Sequence, residues 1–324
     1  MPKISQFKVV ASLPATLEPD AVYYVRVGTG FDIYVTNSSG TVVAYPSNQV
    51  NPPTVTLPEA QAGAETALRS WPPQRVRQAI AALSPAGNRI INGGFVVNQR
   101  AVSGTVVLAP ANYGHDRWRA GSSGCTYVAS TSGGVTTLTI TAGSLQQVIE
   151  GASLQSGTHV LSWVGTALGR IGTGSYSSSG VTASVVGGSD LTIEFGTGTL
   201  ALVQFEPGAV PSTFEHRPYG AEFDLCQRYT RRMGRGLIGQ ADTASSVLLA
   251  LTLQPPMRTA PTFLGIGGSG VSGILRVGGA VQDYSGFGTP SLTNTGGYIV
   301  LIGSFVAGER YIAMSNMALL SAEL

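Results

Sequence analysis

Apolar and polar residues alternate along most of this chain with the two-residue period of a half-buried strand. In residues 1–48 the runs "AVYYVRVG" and "FDIYVTNSSGTVVAY" join through Gly28 and Gly30, and "NSSG" supplies a second turn. A small N-terminal β domain is expected there. From 49 to 87 the pattern changes. "PSNQVNPPTVTLPEA" is rich in proline, which cannot donate to a ladder and favours an extended linker. In the stretch after it, Val76, Ala79, Ile80 and Leu83 fall at i, i+3, i+4 and i+7, one face of a helix. Ser70 is placed to cap that helix, and Pro72-Pro73 to sit in or beside its first turn. A helix of about three turns does not stand alone in water, so its apolar face should pack on something, equivalent helices of other copies included.

Residues 88–218 return to short β runs: "RIINGGFVVNQ", "GTVVLAP", "CTYVAS", "VTTLTITA", "LQQVIEG", "HVLSWVGTA", "VTASVVG" and "LTIEFGTGTLALVQFEPG", separated by Gly and Ser turns. About eight strands at this spacing predict a sandwich or jelly roll. Residues 219–235 read as a connecting helix, with Phe223, Cys226 and Gln227 close together on one face. Arg228, Arg231, Arg232 and Arg235 gather towards its C-terminal end, where cations complement the helix dipole. Residues 236–324 form a second β-rich domain, in which "DYSGFGTPSLTNTGG" reads as a long loop or a pair of turns. No repeat of fixed period is present, which argues against a solenoid or propeller. The expected fold class is mainly β throughout.

Composition sharpens this picture. Only 11% of the 324 residues are charged, well under the ~25% of ordinary soluble domains. Such a chain must build its surface from Ser, Thr, Asn and Gly or bury surface against copies of itself, which points to an oligomeric β protein. A net charge of +2 is too small to indicate nucleic acid as a partner. No apolar run approaches the ~18 residues of a membrane helix, and the N-terminus lacks the apolar core of a signal peptide, so neither membrane insertion nor export is expected. Cys125 and Cys226 have no metal or CxxC spacing. Two buried free thiols are expected, with a disulfide between them left open.

Candidate chemistry is sparse. His115, His159 and His216 show no metal-ligand spacing, the Gly-rich stretches lack the Lys of a phosphate loop, and no nucleophile elbow occurs. No metal and no cofactor are expected. The densest polar-aromatic cluster is Tyr113, His115, Asp116 and Trp118, which could offer a sugar a flat ring face and planar hydrogen-bonding groups. Its structural alternative has Trp118 in the sandwich core and Asp116–Arg117 tying a loop. Asn92, Gln99 and Arg100 divide between sugar contacts and backbone satisfaction, and Glu206 and Glu215 between a glycosidase-like pair and structural roles with Arg217; the structural reading is favoured for both sets. Tyr284, Phe287 and Tyr298, among small residues, resemble a recognition surface or else cap the last β core.

Three stretches carry a resemblance. They are "NRIINGGFVVNQRA" with the later "HDRWRA", then "VQFEPGAVPSTFEHRP", then "AEFDLCQRYTRR". In this order, over residues 88–232, they resemble a module of tail-fibre and other virion proteins of tailed bacteriophages. That module has an N-G-x-F…Q-R strand, D-R-W, Q-x-E-x-G…T-x-F-E-x-R and an L-C-Q-R-Y helix. Where the module usually has an aromatic between Phe95 and Gln99, this chain has Val97 and Asn98. The resemblance implies a carbohydrate-binding-like jelly roll in a non-enzymatic virion protein. That protein would be a parallel homotrimer in the tail, assembled in the host cytoplasm beside other tail or baseplate proteins and contacting a host surface glycan or protein receptor. On that reading Val76, Ile80, Leu83, Phe223 and Cys226 are the candidate oligomer contacts, and residues 1–48 the attachment domain. A purely architectural tail component and a polysaccharide-cleaving tailspike are the competing expectations.

Overall fold

The structure is a computed structural model describing residues 6–44, 53–62, 69–83, 87–233, 236–265, 271–314 and 318–324. The chain is mainly β and divides into two compact units between residues 83 and 84. Among the described residues no helix is long and apolar enough to cross a membrane.

In the first unit β1 (Gln6–Val10), β2 (Ala21–Val27), β3 (Gly30–Thr36) and β4 (Val42–Ala44) form one sheet in sequence order. β1 runs parallel to β2. Its return segment carries Leu13 and Leu17 over Ala21, Tyr23 and Val25 on one face. Thr36 closes that segment, its hydroxyl accepting from Ala21 N–H at 2.9 Å and donating to Glu18 O at 2.6 Å. The other face carries Phe7 and Tyr24 stacked at 6.4 Å and Phe31 edge-on to Tyr24 at 5.3 Å. Phe7, Val9 and Phe31 are exposed there. The helices are α1 (Leu57–Ala62) and α2 (Pro73–Leu83). Pro73 opens α2 as expected. Ser70 does not cap it: three residues upstream, its hydroxyl bonds Thr54 Oγ1 at 3.3 Å and its N–H the Pro53 carbonyl. Ala79 packs on Val55 and Ala60, whereas Val76 and Ile80 stay 41% and 59% exposed. The Leu83 side chain lies outside the described residues.

The second unit begins with β5 (Thr105–Leu108), β6 (Arg119–Ser132) and β7 (Val135–Ile149). After a single 3-10 turn at Gly151–Ser153 come β8 (Gly157–Val164), β9 (Gly169–Ile171), β10 (Val181–Val185), β11 (Leu191–Phe195) and β12 (Gly198–Pro207). β6 and β7 form a long hairpin turned by Gly133 and Gly134. Both have positive φ, 57° and 78°, as the tight turn matching strand twist requires. The runs "VTTLTITA" and "LQQVIEG", read separately above, are this single strand β7. Its first half pairs with β12 (Leu138↔Leu200) and its second half with β11 (Leu145↔Phe195). The switch falls at Gly143, where a Cβ would stand 2.0 Å from Gly124 O. β8 and β10 continue beyond β12, and β9 beyond β11. Trp118, Trp163, Phe195, Phe205, Leu138 and Ile193 fill the core beneath.

"RIINGGFVVNQ" is not a strand. Asn92 and Phe95 have φ of 58° and 55°, and the side chains of Asn88 and Asn92 satisfy the backbone groups that a ladder would have taken.

The connecting helix is shorter than expected. α3 (Tyr219–Gln227) stops where the backbone finds a strand partner: β13 (Thr230–Met233) pairs with the last strand, β22 (Ala318–Ser321). Arg231 bonds the free Gln227 carbonyl from β13 at 3.2 Å. Between lie β14 (Ile238–Thr243), β15 (Ser246–Thr252), β16 (Thr262–Gly265), β17 (Val271–Arg276), β18 (Val281–Phe287), β19 (Ser291–Thr293), β20 (Gly296–Gly303) and β21 (Arg310–Ala313). The order β15-β14-β21-β17-β18-β20 closes on itself through β15–β20 pairing, a six-stranded barrel. Strand β16 lies beside β22 in a separate three-stranded sheet with β13. "DYSGFGTPSLTNTGG" is mostly strand, not loop.

Candidate functional site

The residues singled out by sequence pattern converge, but inside the protein. Asn92 is completely buried. Its amide nitrogen donates to Val97 O (2.8 Å) and Asp116 O (3.0 Å), and its side-chain oxygen accepts Val97 N–H (3.0 Å). Its carbonyl accepts the Trp118 indole at 2.9 Å, and its own N–H is taken by Glu222 of α3. Asp116 accepts from Gln99 N–H at 2.9 Å and Gln99 Nε2 at 2.6 Å, and Gln99 donates onward to Thr230 O at 2.7 Å. Burial raises the Asp116 pKa despite those bonds. Arg117, 1% exposed, lies 3.6 Å over the Tyr229 ring, donates to Val148 O at 2.6 Å and ion-pairs with Glu323. Tyr113 donates to Leu324 O at 2.5 Å. His115 meets Tyr127 OH at 2.9 Å, and burial pushes its pKa down to about 4.

This corrects the glycan expectation for the 113–118 cluster. His115, Asp116 and Trp118 are 4%, 0% and 0% exposed, and half-buried Tyr113 has the Arg100 guanidinium 5.1 Å from its ring and its hydroxyl spent on Leu324 O. The cluster instead binds the central strands to β13 and the chain's last residues. Glu206 and Glu215 are structural too. Glu206 accepts from Gln204, Ser212 N–H and Ser212 OH, and Glu215 from Asn88 N–H. Arg217 spans Asn88 O, Ile90 O and Glu222.

In the barrel, Tyr284 is buried core and Phe287 packs edge-on against Phe263 at 4.9 Å, so neither projects for recognition; Tyr298 is 40% exposed. Cys226, offered as an oligomer contact, is fully covered within its own chain, while Phe223 is half-buried and stacks on Tyr219 at 5.8 Å. Both cysteines are free and buried, as expected.

An open polar site does exist elsewhere in the same module. Strand register places Arg119, Gln146, Glu194 and Arg170 side by side across β6, β7, β11 and β9. Around the last three of these, Ala120, Gly121, Ser122, Thr173, Asp190 and Thr192 help line a cavity of about 550 Å³. Glu194 anchors it. Ser144 OH donates to its Oε1 at 2.5 Å, and Arg170 Nη2 and Nε donate to its Oε2 at 2.5 and 3.0 Å. Burial opposes its ionisation, but these bonds outweigh burial and hold its carboxyl below the ordinary value. Arg170 in turn lies 4.7 Å over the half-open ring of Tyr176. Gly121 leaves room at the floor for this arrangement: a Cβ there would fall 2.1 Å from Ser144 Oγ and 2.7 Å from Glu194 Oε1, so both side chains would have to move. Asp190 is exposed at the margin, its Oδ1 accepting Gly151 N–H at 2.8 Å. The cavity thus combines fixed planar polar groups with the hydroxyls of Ser122, Thr173 and Thr192, the equipment for hydrogen-bonding a polyhydroxylated ligand.

Sequence reading missed this rank. Glu194 stands between core residues Ile193 and Phe195, so alternation does put it on the outer face. Its neighbours Gln146 and Arg170 become neighbours only through long-range register. Comparison with known protein families, curated proteins and solved structures finds nothing that matches this chain.

Proposed function

We propose that this chain is a non-enzymatic receptor-binding subunit of a tailed-bacteriophage tail fibre, and that its central β module is a carbohydrate-binding jelly roll that grips a host surface glycan. The observation that carries the glycan part is the Gln146–Glu194–Arg170 rank lining an open cavity together with the hydroxyls of Ser122, Thr173 and Thr192. The virion assignment rests on the ordered resemblance over residues 88–232, whose motif residues form one buried network. Association into a homotrimer is supported by low charge and by the uncovered apolar side chains of the first unit: Phe7, Val9 and Phe31 on the sheet, Val76 and Ile80 on α2.

A glycan array probed with the purified chain tests the reading. Signal is expected for the native chain and not for Ser122→Trp, which fills the cavity from an exposed position. Native signal that survives the substitution would move the site elsewhere, and no signal at all would favour the purely architectural role. Reducing-sugar release from a bound polysaccharide would replace adhesion by cleavage.

A further inference from the structure

We infer that the cavity selects uncharged or amino sugars and rejects sugars carrying a carboxylate; the inference rests on the glycan reading above. Its ionisable lining is Arg170, Glu194 and Asp190, a formal balance of one positive against two negative charges. The one cation of that set is already committed. Its Nε and Nη2 hold Glu194 and its guanidinium lies by the Tyr176 ring, so its charge is already balanced by an internal carboxylate and the cavity's net formal charge is the negative one of Asp190. Glu194 stays ionised because Ser144 and Arg170 outweigh its burial. Asp190 spends Oδ1 on Gly151 N–H, and Oδ2 makes no hydrogen bond among those found in the described residues, which leaves an acceptor at the margin. The groups left for a ligand are therefore acceptors, hydroxyls, the Gln146 amide and Arg170 Nη1. These suit the donor-rich hydroxyls of a neutral hexose, or the ammonium of an amino sugar beside Asp190. A carboxylate about 5 Å from Asp190 meets a like charge whose repulsion, between surface and bulk-water screening, weakens binding by about tenfold.

The test uses sugars that differ at one position. Glucose against glucuronate, galactose against galacturonate, and glucosamine against glucose are titrated into the full chain by saturation-transfer NMR. The panel is repeated with Asp190→Asn and Ser122→Trp, whose folding is checked by thermal melting. The expected result has each neutral sugar binding about tenfold more tightly than its uronate, glucosamine at least as tightly as glucose, and Asp190→Asn narrowing the neutral-to-uronate gap. Uronates that bind as well as or better than their neutral partners, with Ser122→Trp abolishing both, overturn the charge selection and leave the glycan site standing. Absence of any Ser122→Trp-sensitive binding overturns both.

Discussion

Glu323→Gln probes the joint between the central strands and the chain's last residues. Glu323 reaches across it to Arg117, Arg100 and the Thr230 hydroxyl. Arg117 is 1% exposed and Glu323 4% by side chain, so the substitution leaves a buried guanidinium without its counter-charge. Removing one partner of such a pair costs about 3–5 kcal/mol. Arg117 keeps Val148 O and the Tyr229 ring, which favours the lower end of that range. For a body of this size about 3 kcal/mol lowers Tm by roughly 6–12 °C. Urea unfolding followed by tryptophan fluorescence measures it, since Trp118 and Trp163 lie in the core beneath the joint. The double variant Arg117→Met/Glu323→Leu removes both charges and should recover most of the loss. A single-variant cost below about 1 kcal/mol, or a double variant worse than the single, would refute the claim that this pair locks the joint.

Four further outcomes are expected. The fold keeps His115 neutral, its pKa pushed from 6.5 to about 4, so the stability it contributes is complete above 6.5 and is lost as pH falls from there towards 4. At about 1.4 kcal/mol per unit this amounts to about 3 kcal/mol, and His115→Gln should flatten the stability-against-pH curve in that window; an unchanged slope counts against the assignment. Cys125 and Cys226 should react with a thiol reagent only as the protein unfolds, since both are buried and burial pushes the Cys125 thiol up to about 12 and Cys226 higher still. Gly121→Ala should displace Glu194 and weaken sugar binding with a stability loss of about 1–3 kcal/mol, read by NMR titration and melting together. Ile80→Asp should lower the mass seen by light scattering from a multiple of 33.4 kDa towards 33.4 kDa if α2 joins copies, and an unchanged oligomer would remove α2 from the interface.

The β character and the face of α2 were legible because they depend on near neighbours. Alternation marks strands, and Val76, Ala79 and Ile80 share a face through helical spacing alone. The structural reading of Trp118, Glu206 and Glu215 was also within reach, because their motif context suggested tying rather than binding. What escaped depends on distant partners. Asn92 holds a non-strand backbone only because Asp116, Trp118 and Glu222 arrive beside it. α3 ends early because β22, nearly a hundred residues on, offers β13 a ladder. Tyr284 looked like a loop aromatic because the local Gly and Ser residues hide a barrel that closes through β15 and β20. The cavity rank needs β9, β11 and β7 in register, which no local pattern encodes.

The most direct measurement of the central claim is adsorption competition. Purified chain is added to host cells before particles that carry it, alongside equal amounts of the Ser122→Trp variant. A dose-dependent fall in particle adsorption with the native chain, absent with the variant, is the predicted result. Adsorption that neither protein changes, or that both reduce equally, would contradict a receptor contact at this cavity.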